Sequence, residues 1–140
     1  MFFAWLLVKL IAPRVHIKRT TDGCEFEWDT NTIYYNRADD PQDVGFTRHL
    51  RAKHCFAEPE RYSMRLWSIL HELGHYFNPD EEEDLYAKAL CALLPYETAT
   101  ENRIVQDLYY NSPDEFAATE WACAWIKKHP WLSSLFSILL

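Results

Sequence analysis

Residues 64–78 read Met64-Arg-Leu-Trp-Ser-Ile-Leu70-His71-Glu72-Leu-Gly-His75-Tyr-Phe-Asn78, and the fold turns on this stretch. Tyr62, Leu66, Ile69, Leu70, Leu73 and Phe77 recur at steps of three and four, which predicts one apolar helical face. Pro59 suits a first helical position, with Glu58 and Glu60 near the positive end of the helix dipole. Asn78-Pro79 ends the run. The predicted helix therefore spans Pro59 to about Phe77. On it, His71 and His75 stand four residues apart, so both imidazoles can reach one metal ion. Zinc takes imidazole nitrogen at about 2.0–2.1 Å. Glu72 lies one step round the helix, beside the ion rather than on it. There its carboxylate can hold a water and take the proton that zinc makes acidic. Chance would produce this His-Glu-x-x-His spacing roughly 0.02 times in a chain of this composition. The competing reading is a helix with two packed histidines and an ion-paired Glu.

Upstream, the period shifts from helical to alternating. Val15 and Ile17 alternate with His16 and Lys18; Cys24, Phe26 and Trp28 alternate with Glu25 and Glu27. Thr21-Asp22-Gly23 lies between them as a hairpin signal. Asp29 to Asn31 gives a second turn and Thr32-Ile-Tyr-Tyr35 a third strand. A small antiparallel β-meander over 14–36 is predicted. Residues 37–58 read as irregular with a short helix, Gly45 weakening a longer one. Downstream, helices are predicted over Asp80–Leu94, over 98–110 with Ile104, Val105 and Leu108 as its apolar residues, and from Ser112 to about Lys128. A last short one covers 131–139. Pro95 and Pro130 punctuate them. The class is α+β, a small sheet followed by a helical body.

A catalytic zinc needs a third protein ligand and an open position. No third His follows His75 closely. Glu115 is the best candidate, in the first turn of a predicted helix whose small Ala118 and Ala122 allow close approach. Ser112-x-x-Glu115 is equally a capping box, with the Glu satisfying a backbone donor. Glu120, Glu101, Glu97, Asp80 and Asp84 compete for the ligand role. Tyr109 and Tyr110, just before that helix, are candidate donors to the oxyanion of peptide hydrolysis. Tyr76 and Tyr96 are alternatives.

These residues resemble a zincin metallopeptidase of the Glu-zinc type, most like the ImmA/IrrE family of small bacterial and phage-associated peptidases. The resemblance rests on His71-Glu-Leu-Gly-His75 and on Glu115-x-x-Ala118-x-x-Trp121-Ala122. Arg65-Leu-Trp-Ser-Ile-Leu70 resembles the lead into the family's active helix. Thr32-Ile-Tyr-Tyr-Asn36 resembles its edge strand, which in zincins can pair with an extended peptide. It covers about 32–122, with a gap through 37–58. It implies zinc ligands at His71, His75 and Glu115, with Glu72 as general base. Two departures stand out: 40 residues separate His75 from Glu115, and Thr119 stands where Asn or Asp usually supports a zinc-bound His.

The 140-residue length predicts a single domain over 1–140, long enough to bury a core without staples. Apolar residues make up 49% and only three are Gly, which excludes a disordered or low-complexity chain. A net charge of −7 argues against broad nucleic-acid binding. Arg48, Arg51, Lys53 and His54 read as a solvated face. The acidic run Asp80–Asp84 reads as a solvated first helical turn, and His16, His49, His54 and His129 as surface or satisfied core. Cys24, Cys55, Cys91 and Cys123 are widely spaced and read as reduced, mostly buried thiols, with a cytoplasmic setting. The apolar stretch 2–12 is interrupted by Lys9 and spans about 16 Å as a helix, half a bilayer core. No transmembrane segment is predicted, and both apolar ends are expected to pack on the domain.

The expected function is a zinc-dependent metalloendopeptidase acting on a protein or peptide substrate. The alternative is a zincin-fold binding or regulatory protein with little proteolysis, and a third is a non-peptidase metallohydrolase.

Overall fold

The computed structural model describes residues 1–21, 23–36, 44–79 and 99–140. Its elements are α1 (Phe2–Ile11), β1 (His16–Arg19), β2 (Glu25–Glu27), β3 (Thr32–Tyr35), α2 (Val44–Lys53), α3 (Met64–Phe77), α4 (Ala99–Tyr110), α5 (Pro113–Lys128) and α6 (Pro130–Leu139). The architecture is α+β, a three-stranded sheet followed by a helical body. The predicted helix over Asp80–Leu94 lies outside the described residues, as do Tyr96 and the ligand rivals Asp80, Asp84 and Glu97.

The sheet corrects the expected meander. Its order is β1-β3-β2. β1 pairs parallel with β3, from His16 opposite Thr32 to Arg19 opposite Tyr35. β2 pairs antiparallel with β3, from Glu25 opposite Tyr34 to Glu27 opposite Thr32. The segment carrying β2 is thus a crossover, and no hairpin joins β1 to β2. Burial explains the order. β3 buries Thr32, Ile33 and Tyr35, whereas His16, Lys18 and Arg19 of β1 and both Glu residues of β2 stay exposed. Charged strands suit edges and an apolar strand suits the middle. Thr32–Tyr35 is therefore interior, and the edge nearest α3 is β2.

The helix at the centre starts later than predicted. Pro59–Arg61 is one 3₁₀ turn, and α3 begins after Ser63, whose hydroxyl accepts from the Leu66 N–H at 3.3 Å. Pro59 instead anchors the helix from outside, its carbonyl accepting from the Trp67 indole N–H at 3.0 Å. At the far end the Asn78 N–H and side-chain amide both reach the Gly74 carbonyl, at 2.9 and 3.0 Å. Tyr62, Leu66, Ile69, Leu70 and Leu73 are buried as expected, and Trp67 is buried with them, but Phe77 is exposed and stacks on Trp121. Each such aliphatic side chain contributes about 2 kcal/mol by leaving water.

The core joins Leu7 and Val8 of α1, Ile33 and Tyr35 of β3, Leu50 of α2, and Ile126 of α5 to that face. Both terminal helices pack on this body, α1 against β1 and α6 against α3. Lys9 breaks the apolar run for a local reason: its ammonium donates to the carbonyls of Pro13 and Val15, at 2.8 and 2.9 Å, and ties down the turn after α1. No helix among the described residues is long and apolar enough to cross a membrane. Residues 44–53 form a regular helix despite Gly45. Ile104 and Leu108 of α4 lie at the surface rather than on a buried face.

Candidate metal centre

Two helices build the site, and α3 against α5 is the largest contact between elements. Gly74 makes it possible. A Cβ there would lie 2.3 Å from the Ala118 carbonyl oxygen, so the α5 backbone takes the space a side chain would fill. Ala118 and Ala122 are fully buried in the same seam. Close approach brings Glu115, at the start of α5, over the histidines of α3.

Glu115 Oε2 lies 2.8 Å from His71 Nε2, and Oε1 lies 3.7 Å from His75 Nε2. One donor atom from each residue falls within 4.8 Å of the others, and all three side chains are buried. Two imidazole nitrogens and a carboxylate oxygen match the donor set of a catalytic zinc site. His71, His75 and Glu115 can thus hold a metal ion.

The capping-box alternative for Glu115 is not formed. Ser112 precedes α5, but its hydroxyl donates to the Tyr109 carbonyl at 2.7 Å and makes no cap bond to the helix. The Ser112 N–H also goes to Tyr109, at 3.0 Å, leaving the Glu115 carboxylate to the histidines.

Around this group the charges are strongly coupled. Burial pushes the Glu115 carboxyl up, but the His71 hydrogen bond and both imidazole charges outweigh it and hold it at about 2. Burial works against the His71 imidazolium, yet the bond to Glu115 and its charge raise the pKa overall. Without a metal, the bond to Glu115 thus favours the charged form of His71. Its other nitrogen, Nδ1, lies 3.1 Å from Thr119 Oγ1, which fixes the ring with Nε2 toward Glu115. Thr119 is thus the side chain that holds the second ring nitrogen of His71.

Glu72 stands outside the triad. Burial, with the Glu115 charge adding to it, pushes its carboxyl up to about 7, although His71 and the Phe26 N–H of β2 oppose the shift. That N–H donates to the Glu72 carboxylate, so the edge strand steadies the acid from the main chain. A cavity of ≈ 170 Å³ opens over His71 and Glu72, lined also by Phe46, Trp67, Tyr109 and Tyr110.

No protein family, curated protein or solved structure matches this chain. The chemistry of the site is therefore read from its own atoms.

Tyr109 donates its hydroxyl to Glu115, and burial followed by the Glu115 charge raises its pKa. It braces the third ligand candidate at the cavity wall. The Tyr110 ring sits 5.4 Å from Phe46 and 5.3 Å from His49 and lines the same cavity. Tyr76 is committed to packing on Phe26. Glu120 is exposed on α5, and its charge acts on His54, away from the triad. The side chain of Glu101 is outside the described set. Of the described thiols, Cys123 is buried, Cys24 is half-buried beside the cavity, and Cys55 is exposed, so burial is not their common feature. Cys55 leaves the core because it occupies a left-handed turn, φ 51°, at the end of α2. Gly74 and the Phe26 N–H are the functional elements that sequence reasoning missed. The glycine inside His-Glu-Leu-Gly-His was the available signal for the first; nothing marked the second.

Proposed function

We propose that the chain is a zinc-dependent metallopeptidase, with His71, His75 and Glu115 as zinc ligands and Glu72 as general base. The observation that carries this is a buried two-His, one-carboxylate triad with a second carboxylate beside it, outside the triad and facing a cavity. Zinc bound there would supply a Lewis acid that acidifies a water and polarises a peptide carbonyl. Glu72, beside such an ion, would accept the proton of the attacking water and pass it to the leaving amine. Thr119 and Tyr109 hold His71 and Glu115 in place. Free thiols at Cys55 and Cys123 suit a reducing, cytoplasmic setting.

The test is Glu72→Gln. Zinc content and melting temperature should stay as in the wild type, while cleavage of an unfolded protein substrate falls roughly 10²–10⁴-fold. Undiminished cleavage in the variant would remove the peptidase reading. No cleavage by either protein, with zinc retained in both, would favour a zinc-holding regulatory protein.

A further inference from the structure

Away from the triad, two histidines that looked unremarkable in sequence meet. α2 ends at Lys53, and the left-handed turn at Cys55 closes it, with the N–H groups of His54 and Phe56 both bonded to the Leu50 carbonyl. At this helix end the His54 ring packs against His49. Their Nε2 atoms lie 3.2 Å apart. Two imidazoles on one tetrahedral ion, each at about 2.0–2.1 Å, need their nitrogens about 3.3 Å apart. The pair already has that spacing.

Its surroundings hold it there. His49 is buried, with its ring against Tyr110, and His54 lies with its ring 4.3 Å from Phe116. Glu120, one turn along α5 from Phe116, acts on His54 by charge, and Asp107 of α4 acts on His49. Asp107 is already paired with Arg48 at 3.3 Å, and Glu120 lies exposed. Lys53, Lys127 and His71 oppose a cation, the two lysines from exposed positions where water screens their charge. Burial disfavours the imidazolium of both rings, bringing His49 down to about 4, so both offer neutral nitrogens at pH 7.

We propose that His49 and His54 form a second transition-metal site, separate from the triad, which takes a divalent ion such as zinc or nickel through two imidazole nitrogens, with water completing its shell and the Glu120 charge favouring the cation from nearby. Two protein nitrogens make it the weaker site. It stands behind Tyr110, whose ring also lines the cavity over His71 and Glu72, so an ion held there braces that wall.

The experiment is equilibrium dialysis of the full chain against zinc alone, with His54→Ala beside the wild type. At saturation the wild type should hold about one more zinc per chain than the variant. Equal stoichiometry overturns the proposal, whatever the triad binds. Glu120→Gln should weaken this extra zinc several-fold and leave any tighter zinc unchanged. Should His54→Ala fail to fold, nickel added to the zinc-loaded wild type provides the second measurement. Paramagnetic broadening should strike the ring signals of His49 and His54 first; broadening confined to His16 and His129 rejects the site.

Discussion

Gly74 and Ala118 meet backbone to backbone: an added Cβ on Gly74 would come within 2.8 Å of three main-chain atoms of Ala118. Main chain cannot swing aside as a side-chain tip can, so α5 must retreat from any larger residue. Glu115 rides one turn ahead of Ala118 and retreats with it.

Gly74→Ala is therefore expected to destabilise the protein by about 1–3 kcal/mol through overpacking, despite the higher helix propensity of Ala. It should also lower zinc affinity, because Glu115 moves off the histidines. Urea midpoints and zinc titration on the same sample check both effects. A variant more stable than wild type would mean the seam has slack.

Glu115→Gln keeps the shape of the side chain and removes its charge. Metal affinity should fall by more than about 100-fold, beyond what loss of a supporting contact produces. Stability of the metal-free protein should also fall, by roughly 1–3 kcal/mol, because the buried His71 loses its ionised partner. Zinc binding at wild-type affinity would show that Glu115 is no ligand.

Thr119→Val removes the oxygen 3.1 Å from His71 Nδ1 at nearly constant volume. With the ring less firmly oriented, zinc should bind about 10–100-fold more weakly while the fold persists. Thr119→Ser should restore most of the affinity. Weakening in both variants to the same degree would point to packing rather than the hydrogen bond.

The metal-free protein should lose stability on mild acidification through His49. Burial, then the neighbouring His54, bring its pKa down to about 4 from 6.5. The unfolded chain thus takes up a proton below pH 6.5 that the folded one refuses until about pH 4, and stability falls across that window. Relative to His49→Gln, the wild type should lose about 2 kcal/mol more between about pH 7 and 4.5. Parallel pH profiles for the two proteins would contradict the shift.

What could be read before folding follows distance along the chain. The helix at 64–77 declared itself by its apolar repeat, and the i, i+4 relation of His71 and His75 needs nothing beyond helical geometry. The helices starting at Pro113 and Pro130 were marked by those prolines. The strands were legible from alternation, but their order was not. Alternation reports which side chains face inward and says nothing about which strand lies in the middle.

The sequence by itself therefore determined the α+β class, the helix that carries the candidate metal site and the two histidines on its face. Each of these is set by residues within a turn or two of one another. Tertiary structure alone decided that β3 is central and that Glu115 meets His71 and His75 while the charge of Glu120 acts on His54. It alone brought Thr119 behind His71, laid the Phe26 N–H on Glu72, and placed the rings of His54 and Phe116 together. All but the strand order join segments far apart along the chain. Their meeting depends on how closely α3 and α5 pack at Gly74 and on how α2 turns at Cys55, and periodicity along one segment carries no information about its distance from another.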